Sequence, residues 1–192
     1  MAMFARDLSV AHYRSFDSYR LVLDDGVTVL AGPNAAGKTN LIEALQLLTS
    51  GASFRHPTAA ELVHDGVGSC RVQLRLEGDG RVLDMGLSVE DGKRSFSRNG
   101  KKCSAAGVRG VLPSVLFCPD HLDMVKRGAS VRRAALDDFG VQLSARYADL
   151  ASAYGRCVTQ RNALLKESWC CREMLGAWNE SIARAGSALL VH

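Results

Sequence analysis

Apolar and polar residues alternate along several stretches in the first part of the chain, and this pattern predicts β-strands. Alternation puts the apolar side chains on one face of a sheet, where they can be buried. The Asn-Gly pair within residues 98–101 is typical of a tight β-hairpin turn. A turn at residues 14–18 separates the first two strands. The alternating stretches are residues 4–13, 19–23, 71–76, 81–89 and 94–97, and the last three predict an antiparallel sheet.

Two further stretches are continuously apolar and predict strands that are buried on both faces. Residues 27–31 read Val-Thr-Val-Leu-Ala, and residues 111–117 form a second run that contains Pro113. Runs of this length and β-branched content are typical of strands in the middle of a sheet.

The chain changes character after about residue 118, where helical spacing of apolar residues replaces alternation. The first part holds one helix at residues 40–48 and a short helical piece near residues 59–64. We therefore predict an α/β fold with a P-loop core lobe at residues 1–118 and a helical lobe at residues 119–192. In the second lobe, helices are predicted at residues 130–143, 147–166 and 169–190, with a break at residues 144–146.

The most informative motif joins the first apolar run to the first helix. It reads Gly32, Pro33, Asn34, Ala35, Ala36, Gly37, Lys38, Thr39 and matches the phosphate-binding pattern G-x-x-x-x-G-K-[ST] at every required position. A loop of this kind presents successive backbone N–H groups to an anion, and the N-terminus of the next helix strengthens the site. The motif predicts a nucleoside triphosphate as the ligand.

Individual residues of the loop have separate expected roles. Gly32 and Gly37 let the backbone approach the phosphates closely. Lys38 is expected to reach the β- and γ-phosphates, and the Thr39 hydroxyl is expected to hold Mg²⁺.

Composition narrows the classes of protein but does not choose among them. The chain has 192 residues with a formal net charge of +4, which permits a nucleic-acid partner without arguing for one. No apolar stretch is long enough to span a membrane. The six cysteines include no C-x-x-C pair, so reduced thiols in a cytoplasmic protein are the expected state.

Several stretches together resemble the RecF family, the SMC-like, ABC-type ATPases of bacterial recombinational repair. They occur in the order in which the family has them and extend over nearly the whole chain. The matching stretches are residues 12–16, 32–44, 51–55, 115–122, 125–133 and 160–166.

The resemblance implies a two-lobe ATPase head of the ABC/SMC type, with an antiparallel β appendage on the first lobe. It implies ATP and Mg²⁺ as cofactors and a homodimer that closes on ATP. Expected partners are DNA with gaps or single-strand junctions and recombination mediator proteins, in replication-fork repair and the SOS response. Asn40 joins the loop residues as an ATP contact, and Asp120 lies in the segment expected near the metal.

The resemblance and the charges leave some residues with two interpretations. Arg14 either approaches the nucleotide or is a solvated turn arginine. The same two interpretations apply to Arg55. Glu43 is expected to be structural, either on the surface or in a charge pair along the helix. Four cations around a turn and helix start are either contacts to DNA or to the second subunit, or a solvated face: Lys126, Arg127, Arg132 and Arg133.

The chain departs from the family pattern in two respects. Ala36 stands where the family usually has Gly, which is tolerable if its φ is negative. We find neither a strand ending in Asp-Glu nor a Ser-Gly-Gly-type signature, so no complete catalytic set is predicted. The expectation is an N-terminal fragment that binds nucleotide weakly and hydrolyses it poorly, and a weak ATPase at full length.

Three alternatives stay open from the sequence. One is another SMC-like head, used in chromosome organisation or phage defence, although no sustained heptad seam is present. Another is a small P-loop kinase. The last is a nucleotide-gated binding module that does not hydrolyse its ligand.

Overall fold

The computed structural model describes residues 3–118, 126, 128–166 and 172–191. The chain divides into two compact units, Met1–Leu116 and Phe117–His192. The first unit holds a six-stranded sheet with the strands β1 (Phe4–Tyr13), β2 (Phe16–Val22), β3 (Ser69–Gly78), β4 (Arg81–Glu90), β5 (Lys93–Arg98) and β6 (Lys101–Cys103), together with α1 (Lys38–Ser50), a 3₁₀ turn (Ala60–Leu62) and α2 (Ala105–Val108).

All neighbouring strands of the sheet are antiparallel, in the order β2-β1-β3-β4-β5-β6. The five predicted alternating strands are all present. β2 begins three residues earlier than predicted, because Tyr13 pairs directly with Phe16 and leaves only Arg14 and Ser15 as the turn. The short edge strand β6 and helix α2 were not predicted.

One face of the sheet packs against α1 and forms the core of the first unit. In β3 every second residue is buried from Cys70 to Leu76, as alternation predicts. Helix α1 contributes Leu41, Ala44, Leu47 and Leu48, which lie on one side of the helix. A fully buried leucine or valine contributes about 1.5–3 kcal/mol, so this face anchors α1 to the sheet.

The two predicted buried strands at residues 27–31 and 111–117 are wrong. Neither segment is a strand, and Val27, Val29 and Val115 are 93%, 80% and 76% exposed. A strand needs a neighbour for its backbone N–H and C=O groups, and within the described residues no strand pairs with either segment. Pro113 also removes one backbone donor from the second segment.

The second unit consists of the helices α3 (Ala129–Leu143), α4 (Ala145–Leu164) and α5 (Arg172–Leu190). Ser144 ends α3 and caps α4 by accepting a hydrogen bond from the Tyr147 backbone N–H. The predicted break therefore lies at Ser144. Helix α5 is described from Arg172, and the predicted start at Trp169 lies outside the described residues.

None of the described helices is both long enough and apolar enough to cross a membrane.

Candidate phosphate-binding site

The phosphate loop is a compact turn held by its own lysine. Lys38 Nζ donates to the carbonyl oxygens of Gly32 (2.7 Å) and Pro33 (2.6 Å), and the Ala36 N–H donates to the Pro33 carbonyl (3.3 Å). Both carbonyls belong to the start of the loop, so the lysine ties its two ends together. Helix α1 begins at Lys38, directly after Gly37.

The backbone strain of the loop lies at Ala35, not at Ala36. Ala36 is absent from the residues with positive φ, so the condition for alanine there is met, whereas Ala35 has φ 64°. A left-handed conformation costs a residue with a Cβ about 1–2 kcal/mol. The resemblance drew attention to Ala36, but the neighbouring alanine is the strained one.

Gly37 is the position where only glycine fits. Its φ is 90°, and a Cβ there would lie 2.4 Å from Phe16 Cζ and 2.9 Å from Ser15 Oγ. The turn between β1 and β2 therefore rests directly on the end of the phosphate loop. This contact explains why two sequence segments far apart along the chain belong to one site.

The loop is open to a ligand. Residues 31–36 and Thr39 are exposed, while Gly37 is buried and directly precedes the helix. A helix N-terminus next to an exposed glycine-containing loop favours an anion. The Thr39 hydroxyl is accessible to a hard cation, and Mg²⁺ needs few protein ligands beside water and phosphate. The described residues contain no cluster of His, Cys, Asp or Glu suited to a metal, and Asp120 lies outside the described residues.

The expectation that Glu43 lies on the surface or in a pair along the helix is wrong. Its carboxylate is fully buried and accepts hydrogen bonds from Arg14 Nε (3.1 Å) and Nη2 (2.9 Å), in a bidentate pair. Ser53 Oγ donates to the same carboxylate at 2.6 Å. Helical spacing contains the missing signal: Glu43 is four residues before the buried Leu47, on the inward side of α1.

Arg55 completes this polar cluster and links it to the phosphate loop. Its Nη1 donates to Glu43 Oε2 at 3.4 Å and to Asn40 Oδ1 at 2.9 Å. The Asn40 side chain in turn donates to Ser15 Oγ at 3.1 Å. The structure therefore brings Arg14, Asn40 and Arg55 together at the first turn of α1, next to the loop.

Burial and the Glu43 carboxylate together shift the pKa of Arg14 and the pKa of Tyr13. Burial of the Arg14 guanidinium lowers its pKa, but the hydrogen bonds and negative charge of Glu43 outweigh burial and raise the pKa above its usual value. Burial raises the pKa of the Tyr13 phenol, and the Glu43 charge raises it further. Tyr13 stays neutral and Arg14 stays cationic across the physiological range.

The backbone of Arg14 is held as firmly as its side chain. Arg14 has φ 53°, and its N–H donates to the Leu62 carbonyl at 3.0 Å. His64 Nδ1 donates to the Arg14 carbonyl at 2.7 Å, because a carbonyl can only accept. Thr58 and Glu61 cap this segment reciprocally: the Thr58 N–H and hydroxyl donate to the Glu61 carboxylate, and the Glu61 N–H donates to Thr58 Oγ1. The sequence did not single out His64, and Ser53 entered only as part of the matching stretch 51–55.

The remaining predicted residues belong to the second unit. Lys126 is exposed, as are Arg132 and Arg133 in the first turn of α3. Arg127 lies outside the described residues. These side chains are accessible to a partner, and whether they contact DNA or a second subunit stays a prediction.

Comparison with known proteins identifies the family. A family model described as an AAA domain matches residues 7–108, which include the phosphate loop and the sheet. The RecF DNA replication and repair protein of Pseudarthrobacter chlorophenolicus is 35% identical over 98% of this chain and 49% of its own length. That of Streptomyces avermitilis is 34% identical over 98% of this chain and 53% of its own. The chain thus spans about half the length of these curated relatives.

Solved structures agree with the sequence relatives. The recombination mediator RecF with ATPrS has a TM-score of 0.86 and 28% identity over 98% of this chain and 53% of that one. Its form with ATP has a TM-score of 0.84 over 98% and 52%. These matches confirm the predicted α/β P-loop fold with an antiparallel sheet and helices. The chain therefore belongs to the AAA-domain family, and over 98% of its length it is similar to RecF proteins.

Proposed function

We propose that this chain is the nucleotide-binding part of a RecF-like DNA repair ATPase and that residues 32–39 bind the phosphates of ATP. The observation that carries the proposal is the exposed loop, which precedes α1 and is closed by the Lys38 contacts to Gly32 and Pro33. Solved relatives named as RecF with ATP and with ATPrS support ATP as the nucleotide.

In this proposal each loop residue has a distinct task. The loop receives the phosphates with the backbone N–H groups that follow Pro33, since proline has no N–H of its own. Lys38 exchanges its two loop carbonyls for phosphate oxygens, which bear more negative charge than a carbonyl. Thr39 holds Mg²⁺, which neutralises phosphate charge when it is bound. Asn40 and Arg14 border the site from α1 and the β1–β2 turn.

We also propose DNA as a partner, and the support for DNA comes from the names of the relatives. The curated relatives are named as DNA replication and repair proteins, and the solved ones as mediators of the RecFOR pathway. We propose DNA with gaps or single-strand junctions, a second copy of the chain and mediator proteins as partners. Lys126, Arg132 and Arg133 are the residues proposed for contact with DNA phosphates or the second copy.

Hydrolysis by this chain alone is proposed to be slow. Glu43 is the buried carboxylate of the described cluster near the loop, and its oxygens accept from Arg14, Ser53 and Arg55. Because these donors occupy its oxygens and its side chain is fully buried, this carboxylate is not placed to activate an attacking water.

Nucleotide binding provides the direct test. A fluorescent, non-hydrolysable ATP analogue with Mg²⁺ is titrated against the wild type and Lys38→Ala by anisotropy. We expect the variant to lose affinity by about 10–100-fold, since a hydrogen bond to a charged group contributes about 1.5–3 kcal/mol. Lys101→Ala is the matched control, because Lys101 is exposed in β6. Equal affinity of wild type and Lys38→Ala would contradict the proposal.

DNA binding needs its own assay. Gapped duplex and blunt duplex of equal length are compared with and without the ATP analogue, at several salt concentrations. Arg132→Ala with Arg133→Ala is expected to weaken binding and to reduce the salt dependence, by about one phosphate contact for each arginine. Unchanged binding and salt dependence would remove these two residues from the interface.

A further inference from the structure

Glu43 joins two arginines that approach the phosphate loop from different segments. Arg14 comes from the β1–β2 turn and Arg55 from the segment after α1, and both donate to this one carboxylate. Two cations therefore share one anion. The cluster has a surplus of one positive charge on the rim of an anion site.

The two arginines are held unequally. Arg14 makes two hydrogen bonds, at 3.1 and 2.9 Å, and its side chain is 19% exposed. Arg55 makes one contact with Glu43, at 3.4 Å, and its side chain is 38% exposed. Bidentate pairs are stronger and more directional than single contacts. Arg14 is thus fixed in place, whereas the contact of Arg55 with Glu43 is weak and its side chain is partly exposed to solvent.

A closed set of contacts places both arginines beside α1. Arg55 contacts Asn40 at 2.9 Å, and Asn40 contacts Ser15 at 3.1 Å, in the same turn as Arg14. Asn40 directly follows Thr39 and its N–H donates to the Gly37 carbonyl at 2.9 Å. The guanidinium of Arg55 therefore lies one side chain away from the end of the phosphate loop.

We propose that Glu43 is a positioning residue: its buried carboxylate fixes Arg14 and holds Arg55 in reach of the loop, so that Arg55 exchanges Glu43 for a nucleotide phosphate. The inference rests on the proposed function. The exchange is favourable because Glu43 stays paired with Arg14 and Ser53, so the departure of Arg55 leaves no bare buried charge.

The plain alternative is that Glu43 only joins three segments of the fold. Such a role predicts a loss of stability on substitution, with no dependence of nucleotide binding on the exact shape of Arg55. The positioning role predicts that the charge of Arg55 is insufficient without its planar, bidentate geometry. The two roles are separated by binding constants.

The first experiment is a double-mutant cycle on binding of the fluorescent, non-hydrolysable ATP analogue. The variants are Glu43→Gln, Arg55→Gln and the combination, each checked by thermal melting. We expect each single variant to lose about tenfold in affinity and the double variant to lose little more, because the two residues act through one arrangement. The matched control is Glu77→Gln, which removes the carboxylate that pairs with Arg6 at 3.2 Å elsewhere in the sheet.

The second experiment does not depend on a buried substitution. Arg55→Lys keeps the charge at a partly exposed position but loses the planar guanidinium. We expect it to bind the ATP analogue about as weakly as Arg55→Gln does. Wild-type affinity in Arg55→Lys, or additive losses in the cycle, would overturn the inference. If Lys38→Ala lowers affinity while Glu43→Gln behaves like Glu77→Gln, the proposed function stands and only this inference fails.

Discussion

Replacing Gly37 with alanine tests the contact between the phosphate loop and the β1–β2 turn. Alanine at φ 90° carries a backbone cost of about 1–2 kcal/mol. Its Cβ would also lie 2.4 Å from Phe16 Cζ and 2.7 Å from Cε2, and overpacking of this kind costs about 1–3 kcal/mol. The expected loss in the free energy of unfolding is therefore about 2–5 kcal/mol, a large part of the 5–15 kcal/mol typical of a domain.

A matched variant separates the two contributions. Gly92 has φ 70° and nothing within 4 Å of a Cβ, so Gly92→Ala carries the backbone cost alone. The difference between Gly37→Ala and Gly92→Ala measures the clash with Phe16. Phe16→Leu in the Gly37→Ala background should recover part of that difference.

Urea unfolding followed by far-UV circular dichroism is the appropriate assay. Both tryptophans, Trp169 and Trp178, belong to the second unit, so circular dichroism rather than tryptophan fluorescence is chosen. If Gly37→Ala is no less stable than Gly92→Ala, the β1–β2 turn does not rest on the loop, and the reasoning is refuted.

Three other predictions concern single residues. Ala35→Gly should raise the free energy of unfolding by about 0.5–1 kcal/mol, because relief of φ 64° exceeds the added chain entropy; a decrease in urea unfolding would contradict this. Burial raises the pKa of the Cys70 thiol, so iodoacetamide should alkylate Cys70 more slowly than the half-buried Cys157 until urea is added, which mass spectrometry measures. Hydrogen bonds from Thr58 lower the pKa of Glu61, so the stability that the charged carboxylate contributes is present above pH 4.5 and is lost as pH falls through the lower folded-state pKa. Glu61→Gln should therefore reduce the pH dependence of the free energy of unfolding in that acid range. An unchanged pH dependence would count against the cap.

The sequence predicts those parts of the fold whose patterns are local. Alternation identified the five longer strands, because one face of each is buried in the core and the other faces outward. It failed for residues 27–31 and 111–117, since a continuous apolar run reports the capacity to be buried and says nothing about the neighbour that would bury it. Val29 has the β-branched character of a strand and is 80% exposed.

The candidate site likewise has one part that the sequence reveals and one part that it does not. The loop from Gly32 to Thr39 is contiguous in sequence, so its motif is visible. The polar cluster is not contiguous: Arg14, Glu43 and Ser53 meet only because the β1–β2 turn and the segment after α1 both contact α1. Glu43 was misjudged because a charged residue is usually at the surface. Its helical phase relative to Leu47 was the available signal.

The order of strands has a consequence for how the chain folds. Strands β3 to β6 follow one another through short turns, whereas β1 pairs with β3 across the long connection from Val22 to Ser69. That connection contains the phosphate loop and α1. Closing a long loop is slow compared with forming hairpins. We therefore expect the hairpins of β3–β5 to form early and the β1–β3 pairing to limit the folding rate, so that the nucleotide site becomes ordered in the same late step that completes the sheet.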